Sequence, residues 1–480
     1  MMTDLYQLTM MYGYYRYGMA ENEGIFDLFY RQNRKNSAFA VMAGTESVID
    51  YINNLRFTED DIAYLKSLNL FDDGFLLRLS NMRFTGEMFG MPEGTIVFPH
   101  EPLIRVRAPM IEAQLIETAI LNLVNHQTLI ATKANRVCYA AKGSSVLEFG
   151  LRRAQGPDAG IYGARAAIVG GCTATSNVLS GQLFDIPVKG THAHSWVMSF
   201  NNELEAFRAY ADVFPDSCML LVDTYDTLKS GMPNAIKVFD ELSAKGYAPV
   251  GIRLDSGDLA YLSKQARKML DDAGYKDAKI FASGDLDETV IYDLKVQGAC
   301  IDVWGVGTKL ITSNDYSALG GVYKLAAEVV DGKMIPKMKL SDNPQKTTLP
   351  GYKKVFRLYG RQNKAMADLI SLNHETVDES KPLKLYHPEY SYKTTILRDF
   401  TARELLAPLF IGGKQVYECP SLSQIQAYAE SEMNSLWEES KRLLNPHEYK
   451  VDISDELYDL KTDLGELINR IDDPAYRAIR

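Results

Sequence analysis

Several features of proteins that work outside the cytoplasm are missing from this 480-residue sequence. No apolar run is long enough to cross a bilayer, and the N-terminus lacks the basic residues, apolar stretch and cleavage site of a secretory signal. The five cysteines are far apart and form no Cys-x-x-Cys pair, which excludes a disulfide framework and a cysteine-based zinc site. We therefore expect a cytoplasmic protein with reduced thiols and no membrane partner.

The chain also lacks an excess of positive charge. Its net charge is −10 and its pI about 5.4, so nothing global indicates nucleic acid or an anionic membrane as a partner. An acidic protein can still contain a locally basic cleft for a small anionic substrate. The length and the 46% hydrophobic, 24% charged composition are typical of a globular protein of roughly two to four domains.

Histidine is scarce, and two of the seven histidines lie close together. His192 and His194 follow a short apolar segment that ends at Gly190-Thr191, and a helix-compatible run comes after them. The ordinary pKa of histidine is near working pH, which suits acid–base or nucleophilic chemistry at the mouth of a loop. The two rings share one face if the strand continues and diverge if a helix begins at once, so the pattern leaves their relative directions open.

Strands and helices alternate through the middle of the chain. Apolar segments recur at 146–149, 172–175, 186–188, 218–222, 249–254, 279–282 and 301–306. Amphipathic helices separate most of them, and such alternation requires parallel strands joined by helical crossovers. This number of units favours a barrel of the TIM type over an open sheet.

The sequence predicts an α/β protein with three parts. An irregular TIM-like β/α barrel at residues 111–320 is the predicted catalytic domain. A discontinuous α+β N-terminal domain combines residues 1–110 with 321–420, because strand patterns return after residue 320. Residues 421–480 are predicted to form a C-terminal helical tail, since apolar residues recur there at helical spacing.

Each predicted strand has a polar or glycine-rich carboxyl end. In chain order these ends are Glu148–Arg153, Thr175–Asn177, Gly190–His194, Asp223–Asp226, Arg253–Asp258, Ser283–Asp285 and Gly305–Thr308. Any one of them could be an ordinary turn. Together they predict a common polar rim, and ligands bind at the carboxyl ends of parallel strands.

Three of these ends contain groups that suit an anion. Gly305-Val-Gly-Thr308 offers unobstructed backbone amides for a phosphate, and the alternative is a tight turn. If strand alternation holds, either Arg152 or Arg153 points inward as a clamp for carboxylate or phosphate, and the other lies at the surface. Arg253 and Asp255 share a face, as a salt bridge or as an anion-binding arginine beside a carboxylate for hydroxyls or a metal.

With these residues in view, the chain resembles the nicotinate phosphoribosyltransferases of NAD salvage over nearly its whole length. The resemblance rests on seven motifs: Thr3–Gln7 (TDLYQ), Phe149–Ala154 (FGLRRA), Gly190–Trp196 (GTHAHSW), Val222–Tyr225 (VDTY), Ile252–Asp258 (IRLDSGD), Gly305–Thr308 (GVGT) and Lys346–Gly351 (KTTLPG). Together these motifs are highly specific for the family.

The resemblance implies a fold, a reaction and residue roles. Members of this family have an irregular α/β barrel with an N-terminal domain and are usually homodimers with sites near the subunit interface. They join nicotinate to phosphoribosyl pyrophosphate, giving nicotinate mononucleotide and pyrophosphate, with hydrolysis of ATP and with Mg²⁺. By this resemblance ATP phosphorylates His194, and Thr308 binds the sugar 5-phosphate. Tyr6 and Thr191 contact nicotinate, and Arg253 binds its carboxylate.

Two further catalytic roles are hypotheses consistent with that chemistry. Departure of pyrophosphate leaves positive charge on the ribose, so catalysis consists mainly of positioning and of neutralising the leaving group. Arg152 would bind the pyrophosphate, and Asp255 the ribose hydroxyls or the metal. Additional substrate-binding candidates are Ser283, Gly284, Gly305 and Gly307. No metal ligand is assigned.

Three alternatives share the same rim. A nicotinamide-using relative would carry an acidic residue directly after Gly-Thr, where this chain has His192, so the acid substrate is favoured. A barrel lyase or isomerase acting on a sugar phosphate would need a Schiff-base lysine or a carboxylate base, and no lysine lies within the strand-end motifs. The third alternative is a non-catalytic protein that senses nucleotides.

Overall fold

The computed structural model describes residues 1–341, 346–390 and 392–471. By packing, the chain divides into two compact units. One unit combines the N-terminal segment Met1–Leu129 with the segment that begins at Ala318, and the other is the central segment Ile130–Ser317. No helix within the described ranges is long and apolar enough to span a membrane.

The N-terminal segment mixes helices with short strands. Its helices are α1 (Leu5–Arg16), α2 (Thr45–Asn53), α3 (Glu59–Ser67), α4 (Asp73–Ser80) and α5 (Met110–Leu115), and α6 (Glu117–Ala140) continues from it into the central segment. Its strands are β1 (Glu23–Tyr30), β2 (Ala40–Val41), β3 (Glu87–Gly90), β4 (Ile96–Val97) and β5 (Ile104–Pro109). Side-chain caps start α3 and α4, where Thr58 accepts the Asp61 N–H and Asp72 accepts the Phe75 N–H.

The central segment alternates strands and helices as predicted. Its strands are β6 (Ser145–Glu148), β7 (Ala174–Thr175), β8 (Met219–Leu221), β9 (Gly251–Leu254), β10 (Lys279–Gly284) and β11 (Val303–Val306). Its helices are α7 (Pro157–Val169), α8 (Val178–Phe184), α9 (His194–Met198), α10 (Glu203–Val213), α11 (Met232–Ala244), α12 (Leu259–Asp272), α13 (Glu288–Val296) and α14 (Thr308–Ile311). Asp258 is the N-cap of α12, where its side chain accepts the Tyr261 N–H.

The central strands form one parallel sheet in the order β7-β6-β11-β10-β9-β8. The strands are in step: Glu148 pairs with both Val306 and Thr175, and Phe281 pairs with Val303 and Arg253. Parallel strands in register end at the same edge, so the polar strand ends predicted from the sequence meet there. The predicted α/β architecture with parallel strands is confirmed.

The closed TIM-like barrel is not confirmed by the strand pairing. β6 and β11, the first and last strands of the segment, do pair with each other. The predicted strand 186–188 is reduced to a single parallel bridge between Val188 and Thr175, because Pro187 can donate no backbone hydrogen bond. In the described part of the chain, no strand pairing joins this bridge to β8.

The C-terminal segment is mostly strands followed by helices. Its strands are β12 (Gly321–Val330), β13 (Lys333–Pro336), β14 (Lys353–Tyr359), β15 (Ala365–Leu372), β16 (Leu383–Tyr386), β17 (Thr394–Leu397), β18 (Thr401–Glu404), β19 (Ala407–Ile411), β20 (Lys414–Gln415) and β21 (Val451–Ile453). Its helices are α15 (Leu422–Ser435), α16 (Glu438–Lys441) and α17 (Asp455–Ile471). The predicted helical tail therefore also contributes a strand, and its residues 472–480 lie outside the described ranges.

Two larger sheets build the discontinuous unit. One has the order β13-β12-β1-β5-β3-β19-β20, in which β12 pairs antiparallel with β1. The other has the order β17-β16-β21-β15-β14-β18, and a two-stranded pair joins β2 to β4. Inside this unit the fully buried Arg357 binds Asp368 at 2.7 Å and Glu432 at 2.8 Å. Such buried charges are tolerated because each has a partner.

Candidate active site

One cavity of about 680 Å³ lies at the carboxyl edge of the central sheet. Residues from the ends of all six strands line it. Among them are Arg152, Thr191, His194, Arg253, Asp255, Ser283, Gly284, Gly305, Gly307 and Thr308. The predicted rim is thus one physical site, and the individual roles of these residues stay predictions.

Three hydrogen bonds fix the Arg253 side chain in this cavity. Its Nε donates to Ser283 Oγ and its Nη1 to Thr191 Oγ1, both at 2.8 Å. Its Nη2 donates to Asp255 Oδ1, also at 2.8 Å. These bonds use three of the five guanidinium N–H groups, so two remain for a ligand carboxylate or phosphate. The predicted salt bridge and the predicted anion site are therefore compatible.

Asp255 is held in its charged form by the same contacts. Burial alone would raise the pKa of Asp255, but the Ser283 hydroxyl and the Arg253 charge keep it below its ordinary value. Ser283 donates to the same oxygen, Oδ1, that accepts from Arg253. The other oxygen, Oδ2, faces His194. The site thus places one ionised carboxylate between a fixed arginine and a histidine.

An aromatic wall flanks the arginine. Phe149 and Phe281 stack with ring centres 5.7 Å apart, and the Arg253 guanidinium carbon lies 5.8 Å and 6.0 Å from the two centres. A Cβ on Gly305 would stand 2.7 Å from a ring carbon of Phe281 and 2.9 Å from one of Phe149. Ring packing therefore requires glycine at 305 whether or not a phosphate binds there. Of the two rings, Phe149 lines the cavity and Phe281 is buried. An apolar ring beside a cation suits an aromatic anion, and the sequence did not reveal it.

His194 is the first residue of α9, so a helix begins at once after the loop. Its Nδ1 lies 3.1 Å from Thr224 Oγ1, and its Nε2 lies 3.8 Å from Asp255 Oδ2. With 39% of its side chain exposed, the imidazole is open to a ligand in the cavity. The structure thereby decides the question of direction that the sequence left open.

His192 points away from His194 and into the protein. Its ring packs edge-on against Tyr210, with centres 4.7 Å apart, and its Nε2 accepts the backbone N–H of Leu221 at 3.2 Å. Burial lowers the pKa of His192 to about 4, and the Arg253 and His194 charges add to this. His192 is therefore neutral at working pH, and its accepting nitrogen is already occupied.

Two residues of the Val222–Tyr225 motif support the site without a role foreseen from the sequence. Asp223 Oδ2 accepts the Asp255 N–H at 2.8 Å and the Ser256 hydroxyl at 2.7 Å, which ties the ends of β8 and β9 together. Thr224 holds the His194 ring. The sequence did show that both residues lie at a polar strand end. It did not show which side chain or backbone group each of them would contact.

Arg152 and Arg153 both line the cavity. The prediction that one of them points outward is wrong, because the strand ends at Glu148 and both arginines lie in the short 3₁₀ turn Leu151–Arg153. The alternation of side chains holds only inside a strand. The site therefore has two exposed guanidinium groups where one was expected.

A further ion pair lies just beyond Thr308. Lys309 Nζ donates to Asp287 Oδ2 at 2.8 Å, while Asp287 Oδ1 caps the start of α13. Burial raises the pKa of Asp287, but the bond and charge of Lys309 and the Val290 N–H together outweigh burial and lower the pKa. The pair connects the start of α13 to α14. Tyr6, predicted to contact nicotinate, belongs to α1 of the other unit and is half exposed.

Fold and site together define a class of protein. A parallel α/β unit that gathers a fixed arginine, an ionised carboxylate and an exposed histidine around one cavity is an enzyme site for a small anionic molecule.

Comparison with known proteins identifies the family within that class. Sequence models match residues 144–391 to the nicotinate phosphoribosyltransferase (NAPRTase) family, residues 1–125 to its N-terminal domain and residues 352–461 to its C-terminal domain. The nicotinate phosphoribosyltransferase of Bacillus subtilis is 49% identical over 473 residues, covering 98% of this chain and 96% of that protein. That of Dictyostelium discoideum is 36% identical over 518 residues, covering 96% and 87%. The crystal structure of human nicotinic acid phosphoribosyltransferase aligns with a TM-score of 0.85 and 32% identity, covering 97% of this chain and 100% of that chain. The chain belongs to the nicotinate phosphoribosyltransferase family, which confirms the resemblance read from its motifs.

Proposed function

We propose that this chain transfers phosphoribosyl from phosphoribosyl pyrophosphate to nicotinate, giving nicotinate mononucleotide and pyrophosphate, as the first step of NAD synthesis from nicotinate. The transfer is coupled to ATP hydrolysis through a transient phosphohistidine at His194. In reaction terms the enzyme is a ligase that forms a C–N bond by pentosyl transfer. Membership of the family supports the transfer itself. The arrangement of the site supports the details.

The observation that carries the proposal is the environment of Arg253. A guanidinium with two N–H groups left over, beside stacked aromatic rings, matches an aromatic carboxylate such as nicotinate. Tyr6 and Thr191 are the proposed further contacts of nicotinate, and Thr191 also accepts a hydrogen bond from the arginine. Nicotinamide lacks the negative charge that this guanidinium pairs with, so the acid is the preferred substrate.

The other end of the cavity suits phosphate and pyrophosphate. Arg152 and Arg153 present two positive charges, and we assign the pyrophosphate to Arg152. Thr308, with the backbone of Gly305 and Gly307, is assigned to the sugar 5-phosphate. Ser283 and Gly284 complete the wall between this end and the arginine.

Asp255 is proposed to bind the ribose hydroxyls. The C–N bond forms as the nicotinate nitrogen replaces pyrophosphate on the sugar carbon, and positive charge develops on the ribose as the leaving group departs. An ionised carboxylate beside that carbon stabilises the charge, while the arginines neutralise the leaving group. Catalysis then depends chiefly on how the residues hold both substrates.

His194 is the proposed phosphoryl acceptor. If Nδ1 donates its proton to Thr224 Oγ1, the lone pair remains on Nε2. Nε2 attacks the γ-phosphorus of ATP, a P–N bond forms, the P–O bond to ADP breaks, and water later releases the phosphate. The phosphoryl group adds about −1.5 to −2 charges at the mouth of the site. This charge alters the site without the phosphate entering the product.

Mg²⁺ fits the donors of the cavity. In the described residues no group of three or more His, Cys, Asp and Glu side chains could hold a metal alone. Mg²⁺ usually takes one or two carboxylates together with substrate phosphates, and Asp255 and Asp285 both line the cavity. Bound there, the ion would neutralise the charge of the pyrophosphate.

We further propose that the sheet completes a TIM-like barrel, and that the enzyme is a cytoplasmic homodimer with sites near the subunit interface.

The test compares the enzyme with its His194→Ala variant. Wild-type protein should produce nicotinate mononucleotide faster with ATP, release ADP and incorporate the γ-phosphate of ATP into protein. The variant should keep slow transfer and lose both the stimulation and the label. Unchanged ATP stimulation in the variant would remove His194 from this role. Replacing nicotinate by nicotinamide is the substrate control and should reduce turnover.

A further inference from the structure

The central sheet has a gap in its strand pairing, which we call the seam. On one side lies the bridge of Val188 with Thr175, and on the other lies strand β8 (Met219–Leu221), with no strand pairing between them in the described part of the chain. Val222 donates its N–H to the Arg253 carbonyl on β9 at 3.1 Å. Along a strand successive N–H groups point to opposite sides, so the N–H of Leu221 faces the seam. A buried N–H at such a place needs an acceptor.

The imidazole of His192 supplies that acceptor. Its Nε2 takes the Leu221 N–H at 3.2 Å, and its Nδ1 lies 3.4 Å from the Ala193 carbonyl. The ring is only 8% exposed and packs against Tyr210 and Phe207 of α10. Both ring nitrogens thus have partners inside the protein, although His192 borders the cavity together with Thr191 and His194.

His192 lies in the chain between two residues of the site, so its bond to Leu221 affects both of them. Thr191, directly before it, accepts from Arg253 Nη1. His194, two residues after it, contacts Thr224 in the loop that follows β8. The bond from Leu221 to His192 therefore fixes the Thr191–His194 loop against the strand whose end carries Thr224.

We propose that His192 is a positioning residue that closes the seam by accepting the Leu221 N–H, and so holds Thr191 against Arg253 and His194 against Thr224. It acts through its neighbours and does not contact the substrate ring. Residue 192 therefore does not itself distinguish the acid from the amide. The effect on His194 rests on the proposed function, in which that histidine is phosphorylated.

The test uses three substitutions at this position in the full chain. His192→Gln keeps an acceptor oxygen close to the place of Nε2. His192→Phe keeps the ring without the acceptor, and His192→Asn keeps a polar amide that is too short to reach Leu221. His374→Phe is the matched control, because His374 is an exposed histidine of the other unit, bound to Glu456 at 2.7 Å. Circular dichroism and thermal melting establish that each variant is folded.

We expect His192→Phe and His192→Asn to slow labelling by [γ-³²P]ATP and transfer to nicotinate roughly 10- to 100-fold, the loss typical of a misplaced catalytic group. His192→Gln should recover most of both rates, and His374→Phe should match wild type. In His192→Gln and His374→Phe, where Thr191 stays against Arg253, the ratio of kcat/KM for nicotinate over nicotinamide should equal that of wild type. Amide hydrogen exchange in a β8 peptide should speed up in the Phe and Asn variants only.

Three results would overturn the proposal. One is wild-type labelling, transfer and exchange in His192→Asn or a folded His192→Phe. A second is an equal loss in His192→Gln and His192→Phe, which would make the imidazole itself necessary. The third is a changed preference between nicotinate and nicotinamide in a His192→Gln variant that has recovered both rates, which would make residue 192 a substrate contact. If wild-type enzyme takes no label, the phosphohistidine fails instead, and the transfer and exchange rates still decide the role of His192.

Discussion

Replacing Arg253 by alanine is the most direct test of how this site binds its aromatic substrate. In the intact site three N–H groups of Arg253 are spent on Ser283, Thr191 and Asp255, and two are left for the carboxylate of nicotinate. Alanine removes those two donors and their charge. It also leaves Asp255 without the cation of its ion pair, so an unpaired negative charge lies next to an anionic substrate.

The size of the effect follows from these contacts. Charged hydrogen bonds contribute about 1.5–3 kcal/mol, because a bound carboxylate left without them has lost its water as well. At 1.4 kcal/mol for each factor of ten, the KM for nicotinate should rise roughly 10- to 100-fold. The KM for phosphoribosyl pyrophosphate should change less, since its proposed contacts are Arg152 and Thr308.

The pH profile offers an independent measurement on the same variant. The Arg253 charge is one of the causes that hold the pKa of Asp255 below its ordinary value against the effect of burial. Wild-type enzyme should therefore keep Asp255 ionised down to a lower pH than an ordinary aspartate. Without Arg253 the pKa of Asp255 rises, so activity should be lost at higher pH as the solution is acidified.

Initial rates over a range of nicotinate concentrations and pH values give both quantities. Arg208→Ala is the control, because Arg208 is paired with Glu241 on the surface of the same unit and lies outside the cavity lining. An unchanged KM for nicotinate in Arg253→Ala, with the acid limb of kcat/KM where it is in wild type, would refute the assignment of Arg253 to the carboxylate.

Three further predictions concern the supports of the site and the core of the other unit. Thr224→Val removes the partner of His194 Nδ1 and should slow phosphorylation by ATP several-fold, as expected for the loss of about 1 kcal/mol of hydrogen bonding; equal labelling rates in single-turnover assays would contradict it. Lys309→Met breaks the pair with Asp287 and should raise the KM for phosphoribosyl pyrophosphate, whereas Lys229→Met, in the exposed pair with Asp226, should not; steady-state kinetics decide between an effect of the site and one of charge alone. Arg357→Met leaves Asp368 and Glu432 buried without their shared cation and should lower the free energy of unfolding by about 3–5 kcal/mol. Arg361→Met, in an exposed pair with Asp399, should change it by less than about 0.5 kcal/mol in the same urea titration.

The sequence was sufficient to locate the site because strands and helices can be recognised from the regular spacing of their apolar residues. Parallel strands in register end at the same edge of the sheet, so their polar carboxyl ends meet there. The position of the cavity, whose lining runs from Phe149 to Thr308 in the chain, was therefore predictable. The shared face of Arg253 and Asp255 was also predicted from the two-residue repeat, and the pair forms although Asp255 lies one residue past the end of β9. Both predictions depend only on the regular geometry of β-strands.

The same rule failed where the repeat stopped. Arg152 and Arg153 lie in a turn after β6, and the bridge at Val188 replaces a strand that the apolar pattern predicted. In the first case β6 ends at Glu148, before the chain reaches the two arginines; in the second, Pro187 has no N–H to extend the pairing, so only Val188 forms a bridge. Asp223 and Thr224 were visible as polar residues, but their partners are set by where β9 and α9 lie in space.

The two histidines show why spacing alone could not assign roles at this loop. Their side chains differ in direction only because α9 begins after Ala193, which turns His194 toward Thr224 and Asp255 while His192 stays beside β8. What sets the chemistry of each ring is then its surroundings. A neutral, buried imidazole that accepts a backbone N–H has no free nitrogen for a substrate, whereas an exposed one beside a carboxylate does. The distinction depends on contacts between segments about 30 residues apart, and those contacts exist only once the sheet has formed.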